Sequence, residues 1–423
     1  MRRPSSGTRT HDSGNWPDAA ATHPIPHGIH PGSPSGSRKV FRDEQGYYKP
    51  TAGTAARDKI REVLKNLIWH FVAKNCWTRS LTTLKHETRV RLAAPSYVIY
   101  EHADLAGFRK FAVDFGLEEA GSSPDKSTIY YRGYGADPFV YVARQAPDNQ
   151  PKSFVGAGFL ALSSDDFERA LHKDGAEVVD ALNFPGGGRC VRFRDPNGNV
   201  LEVISNQTRR DIPECGLSNL VGRPAMNGAL DKQRQGEFTR MQPGPAKVHK
   251  LGHFGYNTNN YEATLAWYQD NFNFTPTDIL YAPGKQDLEV AIFMRVDNGK
   301  TYVDHHCLLL ARVEKETQVH HSSFEVEDID TQFMGHQWLE DKGHELVWGI
   351  GRHVHGSQVF DYWYDSSRFV VEHYADGDVV NEEAQTLRAE AGNMAVWGPP
   401  VPEIWHAKKQ EHEVASRVAA VSG

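Results

Sequence analysis

The sequence predicts an α+β protein of two homologous domains, each a pair of βαβββ units, that follow a disordered N-terminal extension. Three observations support this prediction: an internal repeat, strand-plus-helix openings that recur in both halves, and a change of composition near Ser96. The chain has 423 residues, of which 39% are hydrophobic and 24% charged. It is therefore long enough for two or three domains with buried cores.

The internal repeat is a strand–turn–strand motif. One copy runs from Arg192 to Glu202 and the other from Tyr362 to Glu372, and in each copy a glutamate follows the aspartate of the turn by seven residues. Strand-plus-helix openings recur upstream of the two copies, at 96–117, 155–171, 251–274 and 319–339. Matching units in both halves predict two domains with the same fold.

These patterns divide the chain into six segments. They are a disordered segment over 1–56, a helical extension over 57–93, a first domain over 94–205, a linker over 206–248, a second domain over 249–377 and a tail over 378–423. The first segment is rich in Pro, Ser, Gly and His and has almost no aliphatic residues, which is typical of disorder. We expect both ends of the chain to be dispensable, and the charged residues after Pro400 to be mobile.

Charge argues against nucleic acid as a partner. The net charge is −7, and residues 1–92 carry +9, so the rest of the chain carries −16. Binding along nucleic acid needs a basic face instead. No apolar run approaches the roughly 20 residues that span a bilayer, so we expect no membrane partner either.

Cysteine usage indicates a reducing compartment. The four cysteines are scattered, without a CxxC pair, at Cys76, Cys190, Cys215 and Cys307. This pattern favours reduced thiols and a cytoplasmic protein over a disulfide framework or a zinc knuckle. The acid-free opening Met1–Thr10 leaves an organelle transit peptide as an alternative.

Alternation along two strands of the second domain separates candidate ligands from core residues. His253 and Phe254 are consecutive residues of one strand, so their side chains point to opposite faces of it. In the opening strand of the next unit, Phe324 shares the face of His320, and His321 points the other way. We therefore expect His253 and His321 to face a shared concavity, although a β-bulge would exchange His321 for His320.

Glu372 is the third candidate ligand. It lies on a strand whose other face carries Val371 and His373. Two histidines and one carboxylate occupy one side of a metal and leave positions open for substrate and oxygen, as in non-haem Fe(II) oxygenases. A single strand histidine is commonplace, but His253, His321 and Glu372 stand at matching points of repeated units. The sequence therefore predicts a metal site in the second domain.

These motifs resemble those of the type I extradiol ring-cleavage dioxygenases, in the glyoxalase/bleomycin-resistance (vicinal oxygen chelate) superfamily. The resemblance covers roughly residues 94–377. It rests on the Leu-x-His strand of His253, on His321 as the later member of a His-His pair, and on Tyr362 ten residues before Glu372. The turn departs from the family pattern, since Asp-Pro-Ser-Gly is replaced by the sequence from Asp365 to Arg368.

Two further histidines stand at family spacings. His306 lies fifteen residues before His321 and closes a second His-His pair. His353 lies nine residues before Tyr362 and follows a Gly-Arg dipeptide. The resemblance implies that His306 is the general acid–base group and that His353 and Tyr362 contact substrate oxygens. We expect His305 and His320 to be supporting or surface residues, and His355 and His373 to be rim or outer-face residues, with contact to the substrate as an alternative for His355.

The resemblance also implies an enzyme and its cofactor. It implies an Fe(II)-dependent extradiol dioxygenase, with Mn(II) as an alternative metal, in which His253, His321 and Glu372 are the metal ligands. Such an enzyme cleaves a catechol-type dihydroxy aromatic ring with O₂ to a ring-opened semialdehyde or keto acid, in aromatic compound catabolism. Its partners are a small catecholic substrate and O₂, and the family implies a homo-oligomer.

The first domain lacks the matching set. Its positions opposite His253, His321 and Tyr362 are approximately Tyr97, Ala157 and Arg192. Glu202 alone cannot hold a transition metal, so we expect this domain to be metal-free, as in the resembled family. Two alternatives remain: another chelate-superfamily metalloenzyme, glyoxalase-like with Zn(II) or Mn(II), and a non-catalytic aromatic-binding protein.

Overall fold

The structure of the protein is a computed structural model. It describes residues 88–148, 150–181, 183–212 and 226–405. The predicted disordered segment and most of the predicted helical extension lie outside these residues, as do Cys76 and Cys215. Within the described residues, no helix is both long enough and apolar enough to cross a membrane.

The first half forms an eight-stranded sheet with the strand order β2-β3-β4-β1-β5-β8-β7-β6. Its elements are β1 (Leu92–His102), α1 (Leu105–Asp114), β2 (Glu118–Ser122), β3 (Thr128–Arg132), β4 (Tyr141–Gln145), β5 (Ser153–Ala161), α2 (Ser164–Leu171), β6 (Glu177–Val179), β7 (Arg189–Arg194) and β8 (Val200–Ser205). Asp104 and Ser163 cap the two helices by accepting backbone N–H groups of the first turn.

The second half repeats this order inside a ten-stranded sheet, β19-β10-β11-β13-β9-β14-β17-β16-β15-β20. Its elements are β9 (Val248–Thr258), α3 (Tyr261–Asn271), β10 (Phe274–Ala282), β11 (Lys285–Val296), β12 (Val303–Asp304), β13 (Leu308–Arg312), β14 (Gln318–Val326), α4 (Ile329–Asp341), β15 (Leu346–His353), β16 (Val359–Tyr364), β17 (Val370–Ala375), β18 (Val379–Val380), β19 (Leu387–Glu390), β20 (Ala395–Trp397) and a 3₁₀ helix (Glu403–Trp405). A short ladder pairs β12 with β18.

Each half therefore consists of two units of strand, helix and three strands, joined by a central antiparallel pair. The central pair is β1 with β5 in the first half and β9 with β14 in the second half. This confirms the α+β prediction of two halves, each with a pair of βαβββ units.

The two halves share one hydrophobic core. Buried side chains of both sheets and of the helices form a single contiguous cluster. Polar contacts cross the same boundary, since the Asn273 side chain accepts from the backbone N–H of Leu92 at 2.8 Å and donates to its carbonyl at 3.1 Å. The ring of His373 stacks on Phe115 at 3.8 Å, and its Nε2 donates to the Phe115 carbonyl at 2.9 Å. His373, which we expected on an outer face, is thus fully buried between the halves.

The first part of the segment that we assigned to the tail, 378–405, pairs with the large sheet, and 406–423 lie outside the described residues. Its strand β19 pairs with β10 at one edge of the large sheet, and β20 pairs with β15 at the other edge. These strands have only two to four residues, too few to show a periodic pattern in the sequence. Their pairing brings the chain from 378 to 405 over the concave side of the second sheet.

Candidate metal centre

Three neighbouring strands bring the predicted ligands onto one face of the second sheet. Ser323 in β14 pairs with His253 in β9 and with Glu372 in β17, so these three residues form one row across the sheet. His321 lies two residues before Ser323 and therefore shares its face. The ladder shifts register between Val319 and His321, and the structure places His321 beside His253.

The ligand atoms of the three residues converge. The Nε2 atoms of His253 and His321 are 2.9 Å apart. Glu372 Oε2 lies 3.4 Å from the first of these nitrogens and 3.5 Å from the second. Together, the three residues have ligand atoms within 4.8 Å of one another, and all three are buried.

The donor set fits a divalent transition metal. Neither carboxylate oxygen of Glu372 has a hydrogen-bond partner, although the side chain is completely buried. A buried carboxylate without a partner is costly, and a cation between it and the two imidazoles would satisfy it. One anion and two imidazoles on one side also leave coordination positions free toward the cavity.

The ionisation of these groups suits metal binding. Burial raises the pKa of Glu372, but His253 and His353 outweigh it and hold that pKa well below its usual range, so the carboxylate is anionic. Burial, followed by the neighbouring histidines, holds the pKa of His321 well below its usual value, so the imidazole is neutral. A neutral imidazole and an ionised carboxylate are the forms that bind metals.

His320 supports His321 from the side away from the metal. The Nδ1 atoms of the two rings are 2.7 Å apart, so His320 can fix the ring orientation of His321. The ring of Trp405 stacks on His320 at 4.9 Å. His320 is thus a supporting residue at the wall of the cavity, which is one of the two positions that we expected.

Tyr362 and His353 form a hydrogen-bonded pair beside the ligands. His353 Nδ1 lies 3.1 Å from the Met394 carbonyl and must donate to it, so Nε2 accepts from the Tyr362 hydroxyl at 2.9 Å. Tyr362 also pairs with Glu372 in the β16–β17 ladder. Burial and the charge of Glu372 raise the pKa of Tyr362 well above its usual value, so the phenol stays protonated.

His306 stands on the other side of the ligands. Its ring centroid is 4.1 Å from that of His253, and its Nδ1 is 3.2 Å from Nδ1 of His305. Burial, and then His253 and the other nearby histidines, hold the pKa of His306 well below its usual value. The side chain is therefore a neutral imidazole that can accept a proton.

These residues surround one cavity of about 330 Å³. All the predicted site residues line it except Glu372, which lies beneath His253 and His321. The rest of the wall is mainly apolar and includes Leu280, Val290, Phe293, Leu309, Met394 and Trp405. Sequence reasoning missed these wall residues because they come from outer strands and from the segment after 378, where no spacing marks them.

His355 also lines this cavity, as the alternative of a contact with the substrate requires. Its Nδ1 is 2.5 Å from Asp278 Oδ2, and both residues are buried. Asp278 was missed as well, because a lone aspartate in a strand carries no signal of its own. His305 contacts His306 and so takes the supporting position that was one of the two we expected for it.

The corresponding place in the first sheet is filled by an ion pair. Arg192 pairs with Glu202 in the β7–β8 ladder, and its Nε and one terminal nitrogen bond Glu202 Oε1 at 3.0 and 2.5 Å. The Tyr97 hydroxyl donates to the other carboxylate oxygen. Glu202 is thus satisfied by a guanidinium and a phenol, which leaves no need for a metal.

The strand register also corrects which residue of the first half corresponds to His321. His321 pairs with Gly255, and the equivalent pair in the first sheet joins Gly156 to Ile99. The counterpart of His321 is therefore Gly156, and Ala157 was wrong by one residue. Gly156 has φ of +154°, and a Cβ there would stand 1.9 Å from the Val200 carbonyl oxygen, so no ligand side chain fits.

Comparisons with known proteins agree with this geometry. Residues 250–372 match the family model described as the Glyoxalase/Bleomycin resistance protein/Dioxygenase superfamily. Metapyrocatechase 2 of Cupriavidus necator is 27% identical over 310 residues, which cover 72% of this chain and 88% of that protein. Biphenyl-2,3-diol 1,2-dioxygenase of Metapseudomonas furukawaii is 23% identical over 310 residues, which cover 71% and 91%.

Solved structures show the same fold. Homoprotocatechuate 2,3-dioxygenase from Arthrobacter globiformis has a TM-score of 0.59 at 19% identity, covering 76% of this chain and 92% of that one. The Mn(II)-bound glyoxalase from Novosphingobium aromaticivorans has a TM-score of 0.57 at 21% identity, covering 76% and 97%. Residues 250–372 of the chain therefore match the Glyoxalase/Bleomycin resistance protein/Dioxygenase superfamily, and the chain shares its fold with homoprotocatechuate 2,3-dioxygenase.

Proposed function

We propose that the protein is an Fe(II)-dependent extradiol dioxygenase that opens a catechol-type ring with O₂. The observation that carries this proposal is the convergence of His253, His321 and Glu372 at the base of a cavity that His306 and Tyr362 also line. The relatives named as a metapyrocatechase and a biphenyl-2,3-diol dioxygenase support it.

His253, His321 and Glu372 would hold the metal. Fe(II) bound there supplies a Lewis acid for the two catechol oxygens and a path for electrons between the ring and O₂. Two neutral ligands and one anion leave net positive charge at the site. That charge favours a catechol that has lost a proton.

His306 would take and return protons. Its neutral imidazole stands against the ring of His253, next to the place where a catechol hydroxyl would lie. It can therefore accept the hydroxyl proton and donate it later in the reaction. His306 contacts His253, whereas Tyr362 contacts His321. The group that transfers protons would therefore lie on one side of the substrate and Tyr362 on the other.

Tyr362 and His353 would orient the substrate on the other side. His353 is held by the Met394 carbonyl, so its Nε2 accepts and the Tyr362 hydroxyl donates. When a substrate oxygen approaches, the phenol can turn its proton toward that oxygen without a change of ionisation. The pair would therefore hold the second oxygen of a catechol by a hydrogen bond from the Tyr362 hydroxyl.

The remaining wall favours a substrate with apolar ring substituents. No lysine or arginine is among the described residues that line the cavity. Aliphatic and aromatic side chains such as Leu280 and Phe293 instead surround the space away from the ligands. Such a wall also keeps water from the site, which protects reactive states of the ring.

The test is anaerobic loading with Fe(II), addition of a catechol panel, and admission of air. We expect a visible ring-opened product with O₂ consumed in a one-to-one ratio. Two variants serve as controls: His321→Ala should lose the iron, and His306→Ala should keep it but turn over slowly. Catechol binding without turnover, or turnover that does not depend on O₂, contradicts the proposal.

A parallel arm tests the second candidate function. The Mn(II)-bound glyoxalase shares this fold, so a glyoxalase-like reaction is the alternative that a specific finding supports. Protein loaded with Mn(II) or Zn(II) should then convert a hemithioacetal without O₂. We expect no such activity, because the site offers a single carboxylate ligand.

A further inference from the structure

Behind His306 lies a buried group of three residues that the proposed reaction has not used: Asp278, His305 and His355. Each is at most 7% exposed. Asp278 Oδ2 is 2.5 Å from His355 Nδ1 and 3.6 Å from His305 Nε2. His305 in turn contacts His306 through the two Nδ1 atoms, 3.2 Å apart. A continuous path therefore runs from a buried carboxylate to the wall of the cavity.

The group is held rigidly. The Thr277 hydroxyl donates to the His305 carbonyl at 2.7 Å, and the His305 N–H donates to the Asp378 carbonyl at 3.0 Å. Gly356 lies against the His305 ring, where an added Cβ would stand 3.1 Å from Nδ1. Phe293 stacks on His355 at 5.7 Å and meets His306 edge-on at 5.0 Å. The rings are thus fixed in the geometry that the path requires.

Hydrogen-bond capacity determines how protons are arranged along the path. An ionised carboxylate only accepts, so the charge of Asp278, 3.6 Å away and beyond a direct hydrogen bond, favours a proton on Nε2 of His305. In neutral His305 the Nδ1 lone pair then accepts the Nδ1–H of His306. This leaves the Nε2 lone pair of His306 available to the cavity, which is the form of a general base.

The same contact permits a second arrangement. If His306 accepts a proton on Nε2, its Nδ1 proton can pass to Nδ1 of His305. His305 then carries both ring protons and a positive charge beside the Asp278 carboxylate. His306 stays neutral but now bears its proton on the cavity side, which is the form of a general acid.

The placement of Asp278 favours His305 as the holder of a positive charge. His305 Nε2 lies 3.6 Å from Asp278 Oδ2, whereas the ring of His306 contacts the rings of His253 and His305. Burial raises the pKa of Asp278, but His305 and His355 outweigh it and lower that pKa to about 2, so the carboxylate is ionised.

We propose that Asp278 and His305 form a proton relay behind His306, and that the proton leaving the substrate hydroxyl is stored on His305. The proton transfers balance. The hydroxyl loses one proton to His306 Nε2, and His306 passes its Nδ1 proton to His305 Nδ1. No group changes its oxidation state, so the step needs no oxidant. His305 and Asp278 act through His306 and are positioning residues. This inference rests on the proposed function, because it takes a catechol hydroxyl as the proton donor.

The first test compares kinetic constants of iron-loaded variants. Asp278→Asn keeps the size of the side chain and removes its charge, and His305→Phe removes the relay. We expect kcat to fall by about tenfold or more in each, with KM within about twofold of wild type and full iron content. The matched control is Asp114→Asn. Asp114 Oδ2 lies 3.0 Å from His344 Nε2, and neither residue lines the cavity. Thermal unfolding of each variant checks that it is folded.

The second test does not depend on turnover. Protein with ¹⁵N-labelled histidine is loaded with diamagnetic Zn(II), and catechol is added. A histidine with both ring nitrogens protonated should appear in wild type, and its signal should be absent from His305→Phe and weakened in Asp278→Asn. Catechol binding without this signal, or wild-type kcat in both variants, overturns the relay and leaves the proposed function intact. Wild-type protein that binds no catechol contradicts the proposed function and the relay with it.

Discussion

Arg192 occupies in the first sheet the position that Tyr362 occupies in the second, and each stands opposite a buried glutamate in its ladder. Arg192 bonds its glutamate through two nitrogens, whereas Tyr362 bonds His353 and leaves both oxygens of Glu372 without a partner. The substitution at these matching positions separates a closed ion pair from a carboxylate that is available to a cation. Together with Tyr97 and Gly156 at the positions of His253 and His321, it accounts for a single candidate metal site among the described residues of the two halves.

Removing the guanidinium should destabilise the first half. In Arg192→Met, Glu202 remains buried with only the Tyr97 hydroxyl, and we expect the free energy of unfolding to fall by about 3 kcal/mol. The exposed pair of Arg189 and Glu168 supplies the control, because Arg189→Met should cost less than about 1 kcal/mol. Urea denaturation measures both. Equal effects of the two substitutions would show that the buried pair has no special role.

His321 and His320 should differ in their effect on metal content. His321→Ala removes a ligand nitrogen, so we expect the purified protein to retain no iron. His320→Ala removes only the group that orients His321, so iron binding should weaken by about 10- to 100-fold. Elemental analysis after loading and dialysis measures this difference. Loss of iron in His320→Ala but not in His321→Ala would mean that His320, and not His321, is the metal ligand.

Trp405 should determine how tightly the substrate is held. Its ring stacks on His320 and meets Tyr362 at 5.0 Å, so it closes one side of the cavity. We expect Trp405→Ala to raise KM by roughly 5- to 30-fold, equivalent to about 1–2 kcal/mol of lost apolar contact. Iron content should not change. The neighbouring Ile404 is 54% exposed, and Ile404→Ala should leave KM as in wild type. A similar KM in both variants would exclude Trp405 from the substrate site.

Asp278 should make stability depend on pH in the acidic range. Its pKa in the folded protein is about 2, below the ordinary value of 3.8, because His305 and His355 outweigh the effect of burial. The folded protein therefore binds this proton less readily than the unfolded chain. The stabilisation is complete above about pH 4 and is lost as the pH falls toward 2.

The measurement compares urea unfolding of metal-free wild type and Asp278→Asn between pH 6 and pH 2. We expect the difference in unfolding free energy to shrink by about 2 kcal/mol over this range. A difference that stays constant with pH would show that the carboxylate is not held ionised by the two histidines.

Strand alternation, together with the spacings of the resembled family, was enough to predict much of the site. Strand alternation separates His253 from Phe254 and His321 from His320, because successive side chains of a strand point to opposite faces. The structure brings together all the residues chosen from spacing: His306, His353 and Tyr362 around His253, His321 and Glu372. The repeat likewise predicted two halves with the same order of strands.

Other features depend on which distant segments meet, and the sequence alone does not determine this. Asp278 comes from an outer strand and meets His305 and His355 only because β10 lies near the β15–β16 turn. Trp405 reaches the cavity because β19 and β20 pair with opposite edges of the sheet. The sequence does not predict this pairing, because strands of a few residues gain their stability from the edge that they join.

The sequence by itself therefore determined the fold class, the halves and the candidate ligands, because each depends on periods of two residues or on a repeat. The tertiary structure decided which cavity those ligands face, which carboxylate supports His306 and which residues close the site. These contacts join residues far apart in the chain, and only the packing of complete sheets brings them within bonding distance.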